Sequence, residues 1–141
     1  MELQQRLAVP QSNYGPQMKI VSLTVQVLVA LGLLNVWLLR FSKPTPYRGG
    51  KAHSMPEEFA AYGLPSWSLW VVGATKVACA VALLVGVWVP ALVVPAAGII
   101  NLLMLGAIAM HLKVHDPLRK SVPATLVLAL SALVLASTGS W

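Results

Sequence analysis

Apolar residues run along the chain in four long blocks separated by short polar stretches. The first, IVSLTVQVLVALGLLNVWLL, covers about 20–39 between Lys19 and Arg40, close to the ~20 residues a helix needs to cross ~30 Å of hydrocarbon. Further blocks at about 66–89, 91–112 and 122–138 predict three more spans. Only the apolar turn from Gly86 to Pro90 separates the second from the third, so these two form an antiparallel hairpin. The expected fold class is all-α, an integral membrane four-helix bundle with both termini on one side. Residues 1–18, with two prolines and a glycine, are expected as an irregular N-terminal tail without the marks of a cleavable signal. Residues 19–141 then form a single four-transmembrane-helix domain.

The longest polar connection, FSKPTPYRGGKAHSMPEEFAAYGL, contains Pro44, Pro46 and the Gly49-Gly50 pair, which enforce irregular backbone. Its second half predicts a short amphipathic helix at 55–62. Ser54 can cap free N–H groups, Glu57 completes the S-x-x-E box, and Gly63 supplies a left-handed stop. Phe59 and Tyr62 are expected in the headgroup zone.

Composition strengthens the membrane reading. Of the 141 residues 57% are hydrophobic and 10% charged, against about 25% charged in an ordinary soluble domain. The net charge of +6 does not predict nucleic-acid binding, because no basic patch with interleaved aromatics is present. The basic residues sit instead between the apolar blocks, as orientation signals and lipid-headgroup contacts. Seven of them (Arg40, Lys43, Arg48, Lys51, Lys113, Arg119 and Lys120) flank the 41–65 and 113–121 loops, against Arg6 and Lys19 on the other side. Loops 41–65 and 113–121 are therefore expected in the cytoplasm of a multi-pass protein of the cell membrane or another energy-transducing inner membrane. The lone Cys79 excludes an intramolecular disulfide and a C-x-x-C redox pair, and reads as a packing residue.

Close packing of helices in lipid relies on small residues, and the second block offers Ala74, Ala78, Ala82 and Gly86 at four-residue spacing as a helix-packing seam. Gly32, Gly98 and Gly106 allow similar approach. In the same block lies Lys76, whose insertion at mid-bilayer costs about 2.5–3.5 kcal/mol. At nearly its depth come Asn101 and Ser131, with Asn35 and His111 nearer the loop end, so these groups predict one polar pocket. Lys76 nevertheless lies about 200° around the helix from the alanine seam and shares a face with Gly73 and Ala80. That face meets an internal cavity or a partner subunit, unless the lysine serves structure alone.

In HLKVHDPL the two histidines His111 and His115 are four apart, a spacing that metal or haem sites use. A firm third ligand is missing unless Glu57 or Glu58 is brought in, and no metal is predicted. Asp116 and Pro117 read as the cap and first position of a new helical turn, with Asp116 paired to nearby Lys113, Arg119 or Lys120. No phosphate loop, G-x-S-x-G, H-E-x-x-H or paired intramembrane carboxylates occur, so no catalytic residues are assigned. The tryptophans fall mainly near span ends as interface anchors. Trp37, Trp67 and Trp70 share one mouth, where a planar ligand such as a quinone could lie.

Three stretches, NVWLLRFSKPTPYRGG, GATKVACAVALLVGVWVPALVVPAA and MLGAIAMHLKVHDPLRKSVPA, carry a resemblance to the DoxX-like family of small four-helix membrane proteins over about 19–138. The last also resembles the eukaryotic TMEM35-type branch, which implies a role as assembly chaperone for membrane receptors. Other members imply quinone-linked sulfur or redox complexes. His111, Asp116 and Pro117 match the family's loop motif, and relatives often carry a charged residue, commonly glutamate, at the position of Lys76. The function expected is that of a non-catalytic accessory subunit or assembly factor in a larger membrane complex or homo-oligomer. The alternative is a redox-linked membrane protein binding a quinone or similar apolar ligand in an intramembrane pocket.

Overall fold

The computed structural model describes residues 2–3 and 15–138. Among them the chain forms five α-helices: α1 (Gly15–Leu34), α2 (Met55–Ala61), α3 (Ser66–Val85), α4 (Val93–Lys113) and α5 (Val122–Ser137). Four are long and apolar enough to cross a membrane when the turns that extend them are included: Gly15–Leu39, Ser66–Val85, Pro90–Lys113 and Leu118–Ser137. Helices satisfy their own backbone groups, which lipid cannot do. Leucines such as Leu28, Leu31, Leu102 and Leu126, all more than half exposed, cover the outside with an apolar belt. The integral-membrane bundle expected from the blocks is the observed architecture.

The first span starts at Gly15, inside the segment expected as irregular tail; the rest of that tail, apart from residues 2–3, lies outside the described residues. Its end departs from α geometry. Asn35–Leu39 is a π turn, closed by the Arg40 N–H donating to the Asn35 carbonyl at 3.0 Å. Such turns shift side-chain directions within a helix, and here Trp37 is buried while Val36 and Leu38 face outward. A proline-led 3₁₀ turn, Pro90–Leu92, joins α3 to α4, and Leu118–Ser121 leads into α5.

The core explains why four apolar helices associate in a solvent that is itself apolar. Ala30, Ala80 and Ala97 are each 0% exposed, and small residues suit the close packing of α3 against α1 on one side and α4 on the other. The seam expected from Ala74 and Ala78 lies elsewhere: both are exposed, Ala82 is half-buried, and only Gly86 is buried. On α3 the inward face is Leu69, Gly73, Ala80 and Leu83, the heptad-spaced face that includes Lys76. At Gly73 a Cβ would meet the Trp37 ring at 2.6 Å, so the missing side chain is what admits the tryptophan. Gly32, Gly98 and Gly106 have no atom within 4 Å of where a Cβ would stand, and make no close approach.

The two ends of the bundle are built differently. At the terminal end, where α1 begins and α5 ends, Ser137 donates to Ser22 at 2.7 Å and both are buried. At the loop end α5 contributes no buried residue before Ser131. There the space is closed by the first loop and by α2, whose Met55 and Phe59 pack with Trp37 and Leu69.

Candidate functional site

The first loop folds over the helix ends because its ionisable groups find internal partners. Ser54 accepts from the Glu57 N–H at 3.3 Å, while the Glu57 carboxylate accepts from the His53 N–H at 2.6 Å. Both sides of the expected capping box form, with His53 rather than Ser54 as the backbone donor in the return bond. Gly63 closes the helix at φ 74°, a left-handed position that favours glycine. Phe59 and Tyr62 face inward, both under 10% exposed, so they offer no surface to surrounding headgroups. Four-residue spacing puts Tyr62 and Glu58 on one face of α2, and that face turns toward the bundle.

A line of polar contacts follows from this. Arg48, only 4% exposed, reaches the Arg40 carbonyl at 2.5 Å and the Lys43 carbonyl at 3.0 Å, and pairs with Glu58 at 3.0 Å. The other oxygen of Glu58 accepts the Tyr62 hydroxyl at 2.7 Å. The Tyr62 oxygen lies 3.5 Å from Nε2 of His111, whose Nδ1 donates to Asp116 at 2.8 Å. Asp116 also accepts from the Gly50 N–H at 3.0 Å and stands 3.6 Å from the Lys120 ammonium, which in turn donates to the Gly50 carbonyl at 2.7 Å. Lys113 ties the second loop to the first by donating to the Tyr62 carbonyl at 2.8 Å. Six side chains, five from the two loops and His111 from the last turn of α4, thus form one connected polar plate, Arg48–Glu58–Tyr62–His111–Asp116–Lys120.

The electrostatics match the contacts. Burial pushes the Asp116 carboxyl up, but hydrogen bonds from His111 and Gly50 and the charge of Lys120 outweigh it and hold the group below its ordinary value. Burial, the hydrogen bond to Glu58 and the negative charges of Glu58 and Asp116 raise the Tyr62 phenol, with Arg48 opposing, so it stays a neutral donor.

Above this plate lies a cavity of about 690 Å³ within the loop half of the bundle. Its walls combine apolar side chains (Val72, Leu103, Met104, Val127) with Asn35, Lys76 and the plate residues Arg48, Glu58, Tyr62, His111 and Lys120. Val36 and Leu102 also line it and are exposed on the bundle surface, so the cavity reaches the lipid-facing side. The Lys76 ammonium stands 5.2 Å from the centre of the Trp37 ring, an attractive cation–π placement.

The polar groups expected at one depth separate into two places. Lys76, Asn35 and His111 line the cavity. Asn101 and Ser131 do not: Ser131 donates to Asn101, and the pair clasps α4 to α5 outside the cavity. Asn101 thus accepts from Ser131 on the neighbouring helix and not from Lys76. His111 and His115 do not form a ligand pair either, because α4 ends at Lys113 and His115 takes a left-handed φ of 57° in the exposed turn. Among the described residues no group of three His, Cys, Asp or Glu is placed to hold a metal. Asp116 is not a helix cap; Pro117 occupies the cap position of the 3₁₀ turn, and the Asp116 carboxylate bonds Gly50 across the loops. Of the tryptophans at the mouth, Trp37 lines the cavity, while Trp67 and Trp70 are 66% and 68% exposed. Arg48, Glu58 and Tyr62 were not legible as site residues, although the Glu58–Tyr62 spacing is a signal that the polar face of α2 has an internal target.

These features define a multi-pass helical membrane protein with a capped cavity between its spans. The family model for the DoxX-like family matches residues 24–135, and the chain belongs to that family. The match includes the π turn, both loops and every plate residue. No curated protein and no solved structure matches the chain.

Proposed function

We propose that the protein is a membrane-embedded binding protein whose cavity takes an apolar ligand with a polar head, a quinone being one such molecule. The observation that carries this reading is the cavity itself. Its volume of about 690 Å³ falls within the range of ligand sites, which combine mostly apolar walls with a few placed polar groups. Trp37 supplies a flat wall, Asn35 and Lys76 supply donors, and the exposed lining residues Val36 and Leu102 mark a route from the bilayer. In this reading the protein crosses the cell membrane or another energy-transducing inner membrane, with loops 41–65 and 113–121 on the cytoplasmic side, as their basic content favours.

The test is extraction of the protein in mild detergent followed by mass spectrometry of what it retains. Wild-type protein retains a stoichiometric amphiphile. Gly106→Phe is the matched variant, since Gly106 lines the cavity and no atom stands within 4 Å of its added Cβ. It keeps the bundle and loses the ligand; equal retention by wild type and variant sinks the reading.

A second role, accessory subunit or assembly factor of a larger membrane complex, draws support from α3. Ala74 and Ala78 are small, regularly spaced and exposed, which suits close packing with a helix of another subunit.

A further inference from the structure

The charges that line the cavity do not balance. Arg48 has Glu58 as its ion partner at 3.0 Å, and Lys120 has Asp116 at 3.6 Å together with the Gly50 carbonyl. Arg40 is exposed at the rim. Lys76 differs from all three. It is half-buried inside a membrane-crossing segment, and the contact it makes with its charge is to the face of Trp37. Glu58 shares the lining and its negative charge favours the ammonium, but the two form no ion pair, because the Glu58 oxygens are taken by Arg48 and Tyr62. A cation–π contact contributes about 0.5–2 kcal/mol, whereas a lysine at that depth costs about 2.5–3.5 kcal/mol even on the mildest scale. Glu58 offsets part of that difference through its charge but contributes no direct contact, and a paired anion entering the cavity would supply one.

We propose that the ligand is acidic: a single-chained amphiphile whose carboxylate, or an equivalent anionic head, pairs with Lys76. This rests on the cavity reading above and narrows it. An anion here acquires a full counter-charge, and Asn35 adds an amide donor to the same lining. The apolar chain lies along Leu103, Met104 and Val127 and leaves past Leu102. A neutral head would leave the lysine as costly as in the empty cavity, so the acid is preferred over its uncharged analogue. Trp37 then orients the amine from the side opposite the anion.

The experiment compares a fatty acid carrying a terminal bromine with the bromine-tailed alcohol of the same chain length. Each is titrated at neutral pH into full-length protein in phosphatidylcholine nanodiscs, and saturable quenching of tryptophan fluorescence is read. The acid binds about tenfold or more tightly than the alcohol; Lys76→Met abolishes the preference and Lys76→Arg keeps it. Equal affinity of acid and alcohol for the wild type overturns the acidic-ligand inference and leaves the cavity reading standing. Saturable quenching by neither overturns the cavity reading as well. A preference that survives in Lys76→Met overturns the assignment to Lys76. Should Lys76→Met fail to fold, the wild-type pair of ligands still decides.

Discussion

The two halves of the bundle use polar residues in opposite ways. In the terminal half two buried polar donors are taken up by a neighbouring helix: the Ser137 hydroxyl by Ser22 at 2.7 Å, and the Gln26 amide N–H by the Leu83 carbonyl at 2.6 Å. That carbonyl belongs to the last turn of α3, whose final four C=O groups lack donors within the helix. In the loop half the polar groups bind one another across loops and leave a hollow over them. Tight helix contact and a cavity open toward the lipid side therefore coexist in one bundle, because the loop plate closes one end of a space that the helices do not. Burial follows the same division: on α5 the buried helical positions are Ser131, Val134 and Ser137, all in its second half.

The strongest way to break this division is to remove the centre of the plate. Asp116→Ala takes the acceptor from His111, the Gly50 N–H and Lys120 at once, and losing one partner of a buried charged pair costs about 3–5 kcal/mol. Limited proteolysis and hydrogen exchange should show residues 41–64 released while the Ser22–Ser137 region stays protected. Equal loss of protection at both ends would mean that the halves are a single unit.

Acid and alkali test the same plate more gently. The Asp116 pKa is depressed on folding, so its contribution is complete above the unfolded value of about 3.9 and disappears as pH falls through the lower folded value. The Tyr62 phenol is raised, so its contribution is complete below the unfolded value of about 10 and declines as pH rises above it. Protease resistance of the first loop should accordingly hold between these limits and fall outside both. A resistance curve flat through the acid limb would separate Asp116 from loop docking.

Smaller effects are expected on the other side of the comparison. Gln26→Leu leaves the Leu83 carbonyl without its donor but also removes the Gln26 Oε1, which is buried with no hydrogen-bond partner among the described residues. The net loss should be about 1 kcal/mol, read as a lower thermal midpoint in detergent with unchanged proteolysis of the first loop. Ala78→Leu, on the outward face of α3, should move the stability of the isolated protein by no more than about 0.5 kcal/mol. The same variant should reduce co-migration with larger species in blue native gels of solubilised membrane; undisturbed co-migration would count against the accessory-subunit role.

Much of the architecture was legible because lipid imposes a simple rule on the chain. A block near twenty apolar residues becomes a spanning helix whatever its neighbours do, and Ser54, Glu57 and Gly63 act over a few residues of local backbone. The candidate site was legible only in fragments. Lys76, Asn35 and His111 stood out as polar groups in apolar blocks, and all three line the cavity. Asn101 and Ser131 stood out equally and belong elsewhere, since depth along a helix says nothing about azimuth around the bundle. Arg48 looked like one more loop cation, because its burial depends on backbone carbonyls at Arg40 and Lys43 that only the folded loop presents.

By itself the sequence determined the number of spans, their pairing through short connections, the short helix in the first loop and the face of α3 that Lys76 shares with Gly73 and Ala80. Tertiary structure decided that this face points inward and the Ala74–Ala78 face outward. The physical reason is that small-residue stripes are equivalent until helices choose partners. Ala80 joins Ala30, Ala96 and Ala97 in one buried core, and Gly73 admits Trp37 from the π turn. Once those contacts form, Lys76 lies beside Trp37 on the wall of the cavity.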